Sequence, residues 1–546
     1  MKKNSTLATF LTEYVEKENI ISELFKLFNI DCIKRCQLNP SVMDDLINRF
    51  NENDECDISV LEDIIAFIKS GQKDIENEEN ELFQEIKTHI DKTFMQDISV
   101  EQIANDLHIS YYYMCHIFKD KCNLSITSYR TKKKLEKAMR ALTESHDKIS
   151  DIALLCGYNN VSYFTESFTK NVGVSPVVFR KQNTDANFHD FYDYDDMLLA
   201  VKIGCTKFLN KDIRIITQDI PSIPVCVPDN NFKFLHEAAI IEYHGILYTS
   251  WYQCPEKELQ GYTPICGKRS FDNGKTWSDL EVICEDKSEK ILYCPPVYGI
   301  CDDKLYMLVN QMVAPDHIHS LDLYILNDKT DKFELLWSRP IPFKLNTNIV
   351  TMPNGKLMLP GRIGELDGFP RTPAVLISDS GKIDTQWRLV KIAENGNLPD
   401  GSILIHPEIS VICAEDVLYM FNRNDQRKVP LFYVSNDFGE TWSDVRAHDI
   451  PYVSTKVYCG DLSDGRHYII CNPDKSNRSK LSIYFTENQS MKFTKQLVIF
   501  DADYPWGTMH YPAACEYDGY LYIIATKGYP NHERGAELFK INLKNI

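Results

Sequence analysis

The chain contains no Cys-x-x-Cys pair and no cluster of Cys and His at zinc-ligand spacing, although it has 17 cysteines in 546 residues. The number is odd and the thiols are scattered, so neither a disulfide framework nor a metal site is expected, and no cofactor. No apolar run approaches the roughly 18 residues that crossing a bilayer requires. The opening "MKKNSTLATFLTEYVEK" has two lysines, but Glu13 interrupts the apolar run an export signal needs. These absences predict a reduced, cytoplasmic protein without membrane contact. Positive charge is also in deficit, with 60 Lys and Arg against 78 Asp and Glu and a net charge of −18. Such a chain does not approach nucleic acid through its overall field.

The deficit is uneven. Net charge is −8 over residues 1–80, +2 over 81–183 and −12 over 184–546. Only the middle segment is basic, and "SYRTKKKLEKAMR" (128–140) concentrates that charge. A nucleic-acid contact is therefore expected there and nowhere else.

At this length several domains are expected. Helical spacing without chemical motifs predicts a helical N-terminal region over 1–80, and the acidic "KDIENEENE" (73–81) reads as a solvated linker or helix start. A second helical block covers 81–182. The polar, aperiodic "KQNTDANFHDFYDYDDM" (181–197) predicts a linker over 183–204, and 205–546 is broken into short β-rich runs. In the helical block, Val100, Ile103, Ala104 and Leu107 share one face behind a Ser99–Gln102 capping box, and a turn at 108–110 leads to "YYYMCHIFKDK". A second unit follows, with Ile149, Ile152 and Ala153 before Gly157 and then "NNVSYFTESFTKNV".

Two helix-turn-helix units joined by a basic helix resemble the DNA-binding domain of the AraC/XylS family of transcription regulators. The resemblance covers about 100 residues: Ile103 to Leu107, Phe118-Lys119, Tyr129-Arg130, "ISDIALLCGY" (149–158), "SYF" (162–164), Phe168, "GVSP" (173–176) and Arg180. Asn123 stands where the family places Gly, and Asn tolerates the left-handed turn. The resemblance implies double-stranded DNA as partner, with Tyr111, Tyr112, Cys115 and His116 facing bases from the first recognition helix. Asn160, Val161, Ser162, Thr165 and Glu166 are the matching set on the second. Lys132, Lys133, Lys134 and Arg140 lie on the connecting helix, where they either meet phosphates or form a solvated face. RNA polymerase and a second copy of the chain are further expected partners, the latter through the amphipathic N-terminal helices.

In the C-terminal part "SFDNGKTW" (270–277) returns as "SNDFGETW" (435–442), with a degraded copy at 378–387. In Ser-x-Asp-x-Gly-x-Thr-Trp the Asp can accept from its own turn and the Gly takes a conformation other residues resist. A strand–turn–strand unit also recurs six times, starting at residues 236, 294, 346, 407, 456 and 510. These motifs resemble the Asp boxes of sialidase-like β-propellers. The expected fold is thus multidomain: an all-α N-terminal region and double helix-turn-helix domain, then an all-β six-bladed propeller.

The end of each hairpin opposite its turn is the expected ligand mouth. Its candidate residues are His236, Tyr252, Asn310, Arg362, His406, Arg423, Lys456 and His510. Arg362 and Arg423 either grip a carboxylate together or pair with neighbouring acids such as Glu365 or Asp425. Glu237 and Glu408 are the nearest carboxylates for acid–base work. Sialidases carry Arg-Ile-Pro in the first repeat, an acid/base Asp, an arginine triad and a Tyr/Glu pair. Here Leu235-His236-Glu237-Ala238 stands at that start, which argues against sialidase activity. The expected function is a DNA-binding regulator whose propeller senses a saccharide or sugar acid; the alternative is an intracellular glycoside-active enzyme tethered to a DNA-binding domain.

Overall fold

The structure is a computed structural model that describes residues 17–27, 40–52, 58–183, 192–364, 371–452, 454–473, 478–502, 504 and 507–546. The chain forms two compact units, Met1–Phe179 and Arg180–Ile546.

In the first unit, helices Lys17–Leu27 and Pro40–Glu52 pack on the start of a 36-residue helix, Ile58–Thr93. Ile20, Leu24, Phe50, Leu61, Ile64 and Ile68 form their core. Near its end the same helix sends Ile86 and Ile90 into a second core with Ile103, Met114, Ile117 and Phe118. The boundary expected at residue 80 therefore falls inside one helix, and "KDIENEENE" neither links nor starts anything. Glu and Lys are good helix formers, and no Pro stops the run.

The first helix-turn-helix unit comprises Val100–Asp106 and Tyr111–Cys122, the second Ile149–Leu155 and Val161–Val172, joined by Ile126–Glu144. The capping box forms, with Ser99 N donating to Gln102 Oε1 at 2.7 Å and Gln102 N to Ser99 Oγ at 3.2 Å. Asn123 ends its helix in the left-handed conformation, φ 54°. Within the stretch read as linker, Tyr194–Ile203 is a helix with its own capping box, Asp193 with Asp196, and it buries Met197 and Leu199. The apolar "MLLAV" behind a capping Asp is what builds it.

The second unit is a six-bladed propeller built on antiparallel four-stranded blades, and the fourth and fifth blades each carry a further parallel outer strand, Cys205–Thr206 on Arg446–His448 and Leu209–Ile216 on Phe493–Asp501. The inner strands of the first two blades are Phe234–Tyr243 and Leu292–Cys301, and that of the last is Met509–Tyr517. Six apolar cores lie between consecutive sheets, and one joins the sixth blade to the first through Leu235, Trp251, Tyr522 and Leu538. The circle is closed by a strand that precedes the first blade in sequence. Ile223–Cys226 pairs antiparallel with Arg534–Asn542 and so provides the outer strand of the last blade. Both good Asp boxes staple outer hairpins. Asp272 accepts from the backbone N–H of Lys275 and Thr276 at 3.0 and 2.8 Å, and Asp437 from that of Thr441 at 2.9 Å. Gly274 and Gly439 supply the turns at φ 82° and 87°.

Candidate functional site

At the propeller end opposite the hairpin turns lies a cavity of about 490 Å³, lined by His236, Glu237, Glu258, Asp316, Lys344, Arg362, His406, Glu408, Arg423, Arg478, Tyr511 and Arg534 with Leu259 and Pro315. Its shape depends on irregular strand pairing. The ladder slips between His236 and Ala239 in the first blade and between His510 and Ala513 in the sixth. At these bulges Glu237 and Tyr511 take positive φ, 49° and 53°, which a bulky side chain adopts only when the surroundings enforce it. The bulges aim Glu237 and Tyr511 into the cavity.

Tyr511 is the centre of a buried network. Its hydroxyl donates to Glu408 Oε2 at 3.0 Å and accepts from Arg423 Nη1 at 2.8 Å, while Arg423 Nη1 reaches Glu408 Oε2 at 2.7 Å. Burial of Glu408 would by itself raise its carboxyl, but Arg423, Arg362 and Lys456 outweigh it and hold the group at about 2. Burial and the adjacent Glu408 charge push the Tyr511 phenol well above its usual range against the pull of Arg423, so it stays protonated. His236 and His510 are held well below the usual histidine range by burial and by nearby arginines, and are neutral.

Two further carboxylates are locked. Glu237 Oε2 pairs with Lys456 Nζ at 2.8 Å, both side chains 7% exposed. Asp316 serves three cations, Lys344 at 2.5 Å, Arg362 at 2.9 Å and Arg371 at 3.1 Å. Arg478 and Arg534 differ. Arg478 Nη2 donates to Ser454 O at 3.0 Å, and Arg534 lies 3.9 Å from the half-exposed Glu258. Among the described residues no carboxylate approaches either guanidinium more closely.

Of the residues proposed from sequence, His236, Arg362, His406, Arg423, Glu237 and Glu408 line the cavity. Lys456 borders it from the axial channel, through Glu237. Three do not line it. Asn310 is consumed by backbone groups, donating to Phe343 O and accepting from Leu345 N, each at 2.8 Å. Tyr252 is fully buried with its hydroxyl on Glu258, and His510 is turned behind the bulge against His236. Of the two alternatives for Arg362 and Arg423, the pairing with acids is the arrangement seen: Asp316 holds the first and Glu408 with Asp425 the second, and Arg362 Nη1 also lies 4.0 Å from Glu408 Oε1. Glu365 lies outside the described residues. Sequence reading missed Tyr511, whose bulge hides it one position past His510. It also missed Asp316, Lys344, Arg478 and Arg534, which reach the cavity from loops or strand ends outside the repeat positions.

On the first recognition helix Tyr111, Tyr112 and His116 are exposed, Tyr112 at 82%, and Cys115 is half-buried. On the second Val161, Ser162 and Glu166 are exposed and Thr165 is half-buried. Asn160 is the N-cap, accepting from the N–H of Ser162 and Tyr163 at 2.8 and 3.1 Å, so its side chain is engaged within its own helix. Tyr163, 64% exposed, joins this surface without having been expected there. Lys133 pairs with Glu136 at 3.1 Å, so its charge is partly neutralised.

The helix-turn-helix domain family matches residues 103–182 and the BNR repeat-like domain family residues 265–523. Over 116 residues the chain is 30% identical to the probable transcription factor PqrA of Proteus vulgaris, covering 93% of that protein and 21% of this one. Over 167 residues it is 23% identical to the raffinose operon transcriptional regulatory protein RafR of Pediococcus pentosaceus, 31% of this chain but only 57% of RafR. A Trypanosoma rangeli sialidase in complex with sialic acid is similar at 14% identity and TM-score 0.47 over 60% of each chain. The propeller assignment stands instead on strand pairing and the BNR match. The helix-turn-helix match and its relatives thus define a transcription regulator of helix-turn-helix type, joined to a propeller of BNR repeat-like kind. The chain belongs to the AraC/XylS family of helix-turn-helix regulators.

Proposed function

We propose that the propeller is the effector domain of this regulator and that its effector is a carboxylated saccharide. The observation that carries this reading is the pair Arg478 and Arg534, which bring guanidinium donors into a polar cavity where every other cation has a close carboxylate partner. A ligand carboxylate completes those two, since charged donors in a partly dry site bind anions strongly. The volume lies within the ~300–1,000 Å³ of small-molecule sites. The saccharide part of the reading is supported by the BNR match and by RafR, named for a raffinose operon. Binding regulates only if the ligand favours one DNA-binding state over another.

The test is thermal unfolding of the full chain with glucuronate, galacturonate and N-acetylneuraminate against glucose and galactose. Acidic sugars raise the melting temperature, and Arg478→Met with Arg534→Met removes the rise. Equal stabilisation by neutral and acidic sugars refutes the reading.

A second reading, glycoside hydrolysis, is favoured by the Tyr511–Glu408–Arg423 network, which pairs a hydroxyl nucleophile with a carboxylate. It also needs a protonated acid for the leaving group. Glu408 and Asp316 are held ionised and Glu237 is paired with Lys456, so the half-exposed Glu258 is the remaining carboxyl that lines the cavity. Release of free monosaccharide from a glycoside substrate decides between the readings.

A further inference from the structure

The two helix-turn-helix units meet along a seam between the connecting helix, residues 95–98 and residues 157–159. The chain passes from Ile58–Thr93 into the first unit through residues 94–98, and the second unit turns at residues 157–159 between its two helices. Arg130, Lys134 and Lys137 lie at i, i+4 and i+7 on one face of the connecting helix. Arg130 Nη1 donates to Ile98 O and Nη2 to Gln96 O, both at 2.8 Å. Lys134 Nζ donates to Gly157 O at 2.7 Å and stands 5.2 Å from the Tyr158 ring centroid. Lys137 Nζ reaches Met95 Sδ at 2.8 Å, and Asn159 Nδ2 donates to Asp97 Oδ2 at 3.3 Å across the same seam. Gly157 closes it. A Cβ there would stand 2.3 Å from Met95 O and 2.8 Å from Met95 Cα, so only glycine lets the two turns touch.

We propose that this seam is a built spacer in which Arg130, Lys134 and Gly157 are positioning residues that fix the separation and phase of the two recognition helices, so that the protein demands one half-site spacing. The proposal rests on DNA reading by both helices and is independent of what the propeller binds. Lys134 is one of the cations the sequence offered to phosphates, but its ammonium, like the Arg130 guanidinium, is engaged by backbone carbonyls. Charge-assisted bonds at both turns leave the pair little freedom to slide. Inserting one base pair moves a half-site about 3.4 Å along the duplex and about 34° around it, and a clamped pair follows only by distorting the DNA.

The experiment selects a binding duplex from a random pool with the full-length protein. Anisotropy titrations at fixed salt then compare that duplex with versions lengthened or shortened by one base pair between the half-sites. Wild type loses at least about tenfold on either change. Arg130→Met with Lys134→Met binds the selected duplex within about threefold of wild type and loses less than about threefold on either change. If circular dichroism shows that the double variant does not fold, Lys134→Met alone carries the same comparison. A variant that discriminates spacing as sharply as wild type overturns the proposal. So does one uniformly weaker on all three duplexes with a reduced salt slope, the signature of lost phosphate contacts. A wild type that selects no sequence removes the DNA reading and the proposal with it.

Discussion

Replacing Glu408 by Gln is the sharpest probe of the propeller mouth. The side chain keeps its shape but loses the charge that faces Arg423 at 2.7 Å, Tyr511 at 3.0 Å and Arg362 at 4.0 Å. Arg423 and Arg362 keep Asp425 and Asp316, so the variant is expected to fold. A glutamate held at about 2 when folded and near 4.3 when unfolded favours the folded state by about 3 kcal/mol at neutral pH. Because the folded value is depressed, that contribution is complete above about pH 4.3 and is lost as pH falls toward 2. At pH 3 it amounts to about 1 kcal/mol. All six tryptophans lie between residues 251 and 506, so intrinsic fluorescence reports the propeller alone. Urea titrations followed that way should place Glu408→Gln about 3 kcal/mol below wild type at pH 7, with the gap narrowing at pH 3. Equal stability at pH 7, or a gap indifferent to acid, refutes the assignment of Glu408 as an ionised partner of the arginines.

Other outcomes follow from the same contacts. Asn160→Ala should cost about 1 kcal/mol of helix stability by removing a cap, and Asn160→Ser should restore both melting temperature and DNA affinity; a variant that melts normally yet misreads its operator would make Asn160 a base reader instead. Tyr112→Ala, at a side chain 82% exposed on the first recognition helix, should alter the sequence preference recovered by operator selection without changing the circular dichroism spectrum. Tyr511→Phe should abolish any glycoside cleavage while preserving the stabilisation by sugar acids; persistence of turnover would exclude Tyr511 as nucleophile.

What the sequence by itself determined was everything written in short-range chemistry. The Ser99–Gln102 box, Asn123 ending its helix and the Asp272 and Asp437 turns each need partners within about four residues, so pattern and structure agree there. The six hairpin repeats were legible because burial imposes the same alternation on every blade. The long helix through residue 80 was not, because an acidic run is equally at home on a helix face and in a linker. Tertiary structure alone decided which side chains meet at the mouth. Tyr511 and Glu408 are 103 residues apart and Arg362 and Asp316 are 46 apart, so no local pattern joins them. A bulge of one residue rotates Tyr511 inward and His510 away, and strand periodicity counted along the repeat has no means of showing that rotation. Closure of the ring then turns residues from every blade toward one axis, and only there do charges distant in sequence find the partners that set their state.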